Sequence, residues 1–194
     1  ALPDMTRHGA EGGWTISATL DDDRKLGVGL DSSGNGHKRV IRLDGAPATA
    51  TDLADLIRIV WLTPAMDSVF RGGASERRRF FDRQVMAHIP SHGSVSNRYE
   101  KAMRERNRLL KDMVRDAHWY VALEKQMAES GAEIMLQRHA ALARLRQAQT
   151  GAETAFPAAD LSLTHPDRDL PDSAEALAVA LTENRPNDLR AGRT

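Results

Sequence analysis

Cysteine is absent from all 194 residues, which excludes disulfides, thiolate nucleophiles and thiolate metal ligands. Aromatics make up only 5% of the chain, so the expected core is modest and mostly aliphatic. No apolar run approaches the ~18 residues that a membrane helix needs, and the opening ALPDMTRHGAEGG has no apolar stretch of signal-peptide type. A polar, cytoplasmic protein without membrane contact is the expectation. Net charge is zero, from 27 basic and 27 acidic side chains, so no global attraction to a polyanion is expected.

Catalytic constellations are missing as well. Ser33-Gly34-Asn35-Gly36-His37-Lys38 has the glycines of a phosphate loop. However, His37 separates Gly36 from Lys38, and the following Arg39-Val40-Ile41 reads as strand, so a hairpin turn is expected. His88 and His92 flank Pro90, which breaks helical register, and His118, His139 and His165 stand alone. Zinc sites need tighter ligand sets, so these histidines read as solvated or in polar contacts. No serine lies in a Gly-x-Ser-x-Gly elbow.

What is present is uneven charge. Between Ser75 and Arg115 there are eleven bases against five acids, whereas from Thr150 to Glu175 six acids meet only Arg168. Two readings follow: a local basic face for nucleic acid, or two segments that neutralise each other in the fold.

Along the chain, Trp14, Ile16, Ala18 and Leu20 alternate as one face of a half-buried strand. Leu26–Leu30 and Lys38–Leu43 continue an antiparallel meander between turns at Asp21–Asp23 and Asp44-Gly45. Thr51 is expected to cap a short helix over Asp52–Leu56, which feeds a strand through Ile57, Ile59, Val60, Trp61 and Leu62. Pro64 ends that strand. Gly72-Gly73 offers positive φ, and Ser75 is the expected N-cap of an arginine-rich helix. Pro90 stops this helix, and Ser94 or Ser96 caps the next, with Tyr99, Met103, Leu110 and Met113 or Val114 inward. A third helix runs from about Ala117 to Gln149 with Trp119, Leu123, Met127, Ile134, Leu142 and Leu145 inward. Gly131 either breaks it or permits close packing. Leu161 and Leu163 suggest a short strand. Asp172 or Ser173 starts a last helix, interrupted by Pro186 and ended by Gly192. Trp61 and Trp119 read as core.

The stretch Pro64–Asp82, PAMDSVFRGGASERRRFFD, sets Arg77, Arg78 and Arg79 in the first helical turn, against the positive end of the helix dipole. Three cations there call for an anionic partner, and Asp82, four residues after Arg78, is the expected structural partner. Arg104, Arg108 and Lys111 share a helical face, with Lys101 three residues before Arg104. That face either tracks phosphates or is self-paired through Glu100–Arg104 and Glu105–Arg108.

Pro64, Val69-Phe70, Gly72-Gly73, Arg77-Arg78 (or Arg78-Arg79), Phe80-Phe81 and Asp82 resemble the first signature of the RecF family of bacterial recombination and gap-repair ATPases. Ala65 departs from its usual acid, and Ala74 from its usual proline. Tyr99–Lys111 resembles the family's helix ending R-N-x-L-L-K, and Glu133-Ile134-Met135 and Asp188–Thr194 are also similar. The likeness runs from about Leu20 onward.

The resemblance implies an α+β fold, an antiparallel sheet fragment of an ABC-type ATPase lobe followed by an SMC- and Rad50-like helical lobe. Its parts would be 1–63 in the ATPase lobe, 64–150 as the helical lobe and 151–194 returning toward the ATPase lobe. It implies DNA binding at gaps and single-strand/double-strand junctions, with RecO and RecR as partners in loading RecA, and a link to replication and the SOS response. The family's Walker A, ABC signature and Walker B are not found among these residues. The chain alone is therefore expected to bind no cofactor and hydrolyse no ATP, while the whole family protein would use ATP, Mg and an ATP-dependent homodimer. Arg77, Arg78, Arg79, Lys101, Arg104, Arg108 and Lys111 are the candidate DNA contacts, and Thr63, Pro64, Gly72 and Gly73 the candidate lobe hinge. A helical arm that docks a protein partner or dimer mate is the competing expectation. Leu20 and Ile41 are expected to leave an apolar patch uncovered, favouring self-association.

Overall fold

The computed structural model describes residues 2–9, 13–34, 36–164, 171 and 173–194. The chain divides into two compact units, Ala1–Ile59 and Val60–Thr194.

The first unit is built on four strands, β1 (Trp14–Thr19), β2 (Lys25–Gly34), β3 (Gly36–Leu43) and β4 (Ala46–Pro47), paired antiparallel in sequence order. Period-two alternation sets the register: Ile16 opposes Val28, and Val28 opposes Ile41. The glycine-rich segment is a hairpin, as expected, with Gly34 paired to Gly36; Asn35 lies outside the described residues. Asp44 and Gly45 both take positive φ (51° and 84°), the two-residue turn that matches strand twist and lets the unanticipated β4 fold back. Leu30 and Ile41 are buried, so Ile41 does not belong to an uncovered patch, whereas Ile16 and Ala18 on β1 are exposed. A short helix α1 (Ala50–Leu56) follows. Its cap is Thr49 rather than Thr51: Thr49 Oγ1 accepts from Asp52 N–H at 3.2 Å while Asp52 accepts from Thr49 N–H at 2.8 Å.

Residues 57–63 pair with no strand. The apolar run that reads as a strand forms no ladder, and Ile59, Val60, Trp61 and Leu62 are all exposed. Leu161 and Leu163 likewise form no strand; the Leu161 carbonyl accepts from Arg146 Nε at 3.0 Å instead.

The second unit opens with a 3-10 turn at Pro64–Ser68 and continues through α2 (Ala74–His88), α3 (His92–Lys111), α4 (Ala117–Gln149) and α5 (Ala174–Ala191). Helix α4 is 33 residues long, about 50 Å at 1.5 Å per residue. The five-residue link from α3, closed by Met113 at φ 55°, packs α3 beside α4 as a helical hairpin. The core where α3, α4 and α5 meet is Ala102, Met127 and Leu181, with Tyr99, Met103, Leu123 and Leu177 against it.

Several helix ends differ from expectation. Gly73, not Ser75, is the N-cap of α2, at φ −69°, and neither Gly72 nor Gly73 uses positive φ. Ser91, not Ser94 or Ser96, precedes α3, and its carbonyl accepts from Ser94 Oγ. Ser173 caps α5 by accepting from Ala176 N–H, and Gly192 closes it at φ 67°. Asp172 lies outside the described residues. Pro186 sits inside α5 without ending it, because packing of the helix on α4 outweighs one lost backbone bond. Gly131 does not break α4: a Cβ there would sit 2.5 Å from Leu177 Cδ2 and 3.3 Å from Tyr99 Cε2, so glycine permits the close approach of helices. Trp61 and Trp119 are exposed rather than core.

Candidate nucleic-acid interface

Starting α2 at Ala74 puts Glu76 in the first turn and moves Arg78 and Arg79 into the second, so the adverse dipole term is smaller than the sequence implies. Arg77 folds back onto the loop, its Nη1 donating to the Gly72 carbonyl. Arg77, Arg78 and Arg79 are exposed, and among the described residues no carboxylate pairs with them.

Asp82 is not the partner of Arg78. Its carboxylate takes a bidentate pair from Arg138 of α4, Nε at 2.8 Å and Nη2 at 2.9 Å, and its Oδ1 lies 3.2 Å from His92 Nε2. The other ring nitrogen of His92 lies 2.7 Å from Gln137 Oε1. His92 is fully buried, so of the two expected settings it has the polar-contact one, as a core tie among α2, α3 and α4. Burial opposes ionisation of Asp82, but the His92 and Arg138 hydrogen bonds outweigh it and hold the carboxyl below its ordinary value. Asp82 faces inward because Arg138 meets it there, which leaves the signature arginines outside.

On α3, Lys101, Arg104, Arg108 and Lys111 are all exposed. Glu100 pairs with Arg104 at 3.4 Å as the spacing predicts, while Arg108 reaches Asp112 at 3.8 Å rather than Glu105. Both pairs are at the solvent surface, where such contacts contribute little. Arg98 meets Glu133 of α4 at 2.9 Å. No ion pair joins the described acids of the acidic segment, Glu153, Asp160 and Glu175, to this basic set. Asp167, Arg168, Asp169 and His165 lie outside the described residues.

Arg106, in the middle of the R-N-x-L-L-K stretch, has a different place. It is fully buried, and each of its three side-chain nitrogens finds an acceptor. Nε donates to Glu124 at 3.1 Å, and Nη2 meets Glu124 at 3.0 Å and the Leu181 carbonyl at 3.1 Å. Nη1 meets Asp188 at 2.7 Å and Thr194 Oγ1 at 2.8 Å. Arg185 closes the network on Glu124 and lies 5.3 Å over the Tyr120 ring. Burial works against Glu124 ionising, but Arg185 and Arg106 more than offset it and lower its pKa. Asn107 Oδ1 accepts from Thr194 N–H at 2.7 Å. The two family-like stretches, Arg106-Asn107 and Asp188–Thr194, are thus in direct contact. The sequence reading missed Arg106 and Glu124 as core positions; the signal that could have found them is spacing, since Arg106 lies four residues from both Ala102 and Leu110, and Glu124 three before Met127.

Two aromatic contacts complete the surface near α2. Arg83 lies 5.5 Å over the Trp61 ring, and Phe70 meets Phe80 edge-on at 6.1 Å. The hinge candidates form a compact turn: Thr63 is extended (φ −121°), Pro64 opens the 3-10 turn, and Met66 N–H donates to the Thr63 carbonyl at 2.8 Å. Among the described residues no group of three acids or histidines is arranged to hold a metal, and no helix is long and apolar enough to cross a membrane.

Comparison with known proteins agrees with the signature residues. A protein of Rhizobium rhizogenes named DNA replication and repair protein RecF is 42% identical across the whole of this chain, and its namesake in Mesorhizobium japonicum is 44% identical across 98% of it. Along its whole length the chain is similar to part of these RecF proteins. It spans about half the length of these relatives, 55% and 54%. No family model matches it. Among solved structures, the recombination mediator protein RecF–ATPrS in the RecFOR pathway superposes over 100% of this chain and 55% of its own, with a TM-score of 0.74 at 18% identity. The RecF–ATP structure gives 0.70. At that identity the likeness is one of fold, and it supports the α+β reading of a sheet fragment with a helical lobe.

Proposed function

We propose that this chain is the part of a RecF-type recombinational repair protein that presents a basic helical lobe to DNA at single-strand gaps and single-strand/double-strand junctions. The whole protein acts in the cytoplasm with RecO and RecR to load RecA, as an ATP- and Mg-dependent dimer, and this stretch alone carries no hydrolysis. Whole-chain identity with proteins named for DNA replication and repair supports the role. The observation that carries the site is the set of exposed arginines at 77–79 without carboxylate partners among the described residues, while Asp82 beneath them is engaged by Arg138. Lys101, Arg104, Arg108 and Lys111 extend the surface. Thr63-Pro64 and Gly72-Gly73 act as the hinge on which this lobe turns.

The competing reading, a helical arm docking a protein, draws support from the surface pairs Arg98–Glu133, Arg104–Glu100 and Arg108–Asp112, which neutralise much of α3. Affinity for a gapped duplex across a salt series separates the two. DNA contact predicts binding that weakens steeply with salt, and Arg77→Ala/Arg78→Ala lowers the affinity and reduces the log–log slope by about 1–2. Absence of binding at low salt, with the fold intact, rejects DNA contact by this lobe.

A further inference from the structure

We propose that the outer face of α2, together with Trp61 and Phe70, is a stacking platform for unpaired nucleotide bases, so that the basic lobe takes single-stranded nucleic acid there. The inference rests on the DNA-facing reading and narrows it to one strand type and one set of residues.

Trp61 and Phe70 are large apolar side chains left 52% and 67% exposed. Each has one ring contact among the described residues. Arg83 lies over the Trp61 ring, and Phe80 abuts Phe70 in a T-shaped contact, so both rings are oriented while much of each stays open. The two holding residues come from one helix and lie three apart, and Arg79 precedes Arg83 by four, so Arg79, Phe80 and Arg83 share a face. Asp82 points away from that face toward Arg138. From residue 64 to 83 the arginines are Arg71, Arg77, Arg78, Arg79 and Arg83, and the carboxylates there that pair with no base among the described residues are Asp67 and Glu76.

Oriented open rings beside an arginine excess are what single-strand binding requires: π-faces for bases and cations for the backbone. An arginine already stacked on the indole adds a planar cation to that stack. A protein partner would bury the same rings, but it would have to supply carboxylates for several arginines. A nucleic acid strand supplies a negative charge at every nucleotide.

The test uses the 194-residue chain, an oligothymidylate, and an abasic strand of equal length that keeps phosphates but has no bases. The chain holds three tryptophans, so a Trp14→Phe/Trp119→Phe background leaves Trp61 as the only indole reporter. Saturable quenching of Trp61 by oligothymidylate but not by the abasic strand is expected. Trp61→Ala/Phe70→Ala should weaken oligothymidylate binding about five-fold to a hundred-fold with the salt slope unchanged, because no phosphate contact is lost. Both residues are exposed, so the variant should keep its helical circular dichroism. Equal affinity for the two strands, with the double variant unaffected, would overturn stacking while leaving phosphate contact by the lobe in place. Absence of binding to either strand or to gapped duplex would remove both proposals. Quenching that follows protein concentration instead of DNA would assign the patch to self-contact and also overturn the platform.

Discussion

Arg106 and Arg104 are two residues apart on the same helix and have opposite roles. Arg104 shares a solvent-exposed pair with Glu100, whereas Arg106 is enclosed and donates four hydrogen bonds. Removing one member of a buried charge set strands the others, at a cost of about 3–5 kcal/mol. Arg106→Met is therefore expected to lower stability by that order in urea denaturation, while Arg104→Ala changes it by no more than about 0.5 kcal/mol. Equal effects would contradict the assignment. Acid sensitivity follows from the same carboxylates. Asp82 and Glu124 have pKa values depressed below their ordinary 3.8 and 4.5, so their stabilisation is complete above about pH 5 and is lost as pH falls through the folded values. The urea midpoint should drop below pH 4.5, and Asp82→Asn should flatten part of that decline. A midpoint unchanged down to pH 3 would oppose this. At this scale the sequence was readable where one residue decides the matter, as at Gly192. It misled where two candidates compete for one partner: Asp82 lies within reach of Arg78 by spacing, but a bidentate arginine from α4, 56 residues away, takes it.

Among the elements, helices were legible and strand-like runs less so. The span of α4 follows from its periodic apolar positions, and the three-strand meander from alternation and turn residues. The run from Ile57 to Leu62 has strand composition but no neighbour to pair with, and a β-rich composition records fit to a half-buried sheet rather than a backbone preference. Gly131 shows the converse: its role became visible only when Leu177 and Tyr99, from two other helices, were placed against it. Gly131→Leu is expected to destabilise by about 1–3 kcal/mol or more through overpacking, read as a fall in Tm. A gain in Tm would mean that the helices do not approach there. Arg185 and Pro186 are neighbours in α5, and the network on Glu124 together with packing on α4 explains why a proline is carried through the helix.

Across the molecule, zero net charge conceals a division of labour. Arg106, Arg138 and Arg185 hold helices together, while Arg77–Arg79, Lys101, Arg104, Arg108 and Lys111 face solvent. The likeness to RecF proteins was legible from the Pro64–Asp82 signature because its residues are close in sequence. The contact between Arg106-Asn107 and Asp188–Thr194 was not, because more than eighty residues separate its halves. The most direct test of this division is arginine- and lysine-selective footprinting of the chain, read by mass spectrometry, with and without gapped duplex. The account predicts that DNA protects Arg77, Arg78, Arg79, Lys101 and Lys111, and that Arg106 is unreactive in both states. Unchanged reactivity at those five residues, or protection confined to Arg39 and Arg42 of β3, would contradict it.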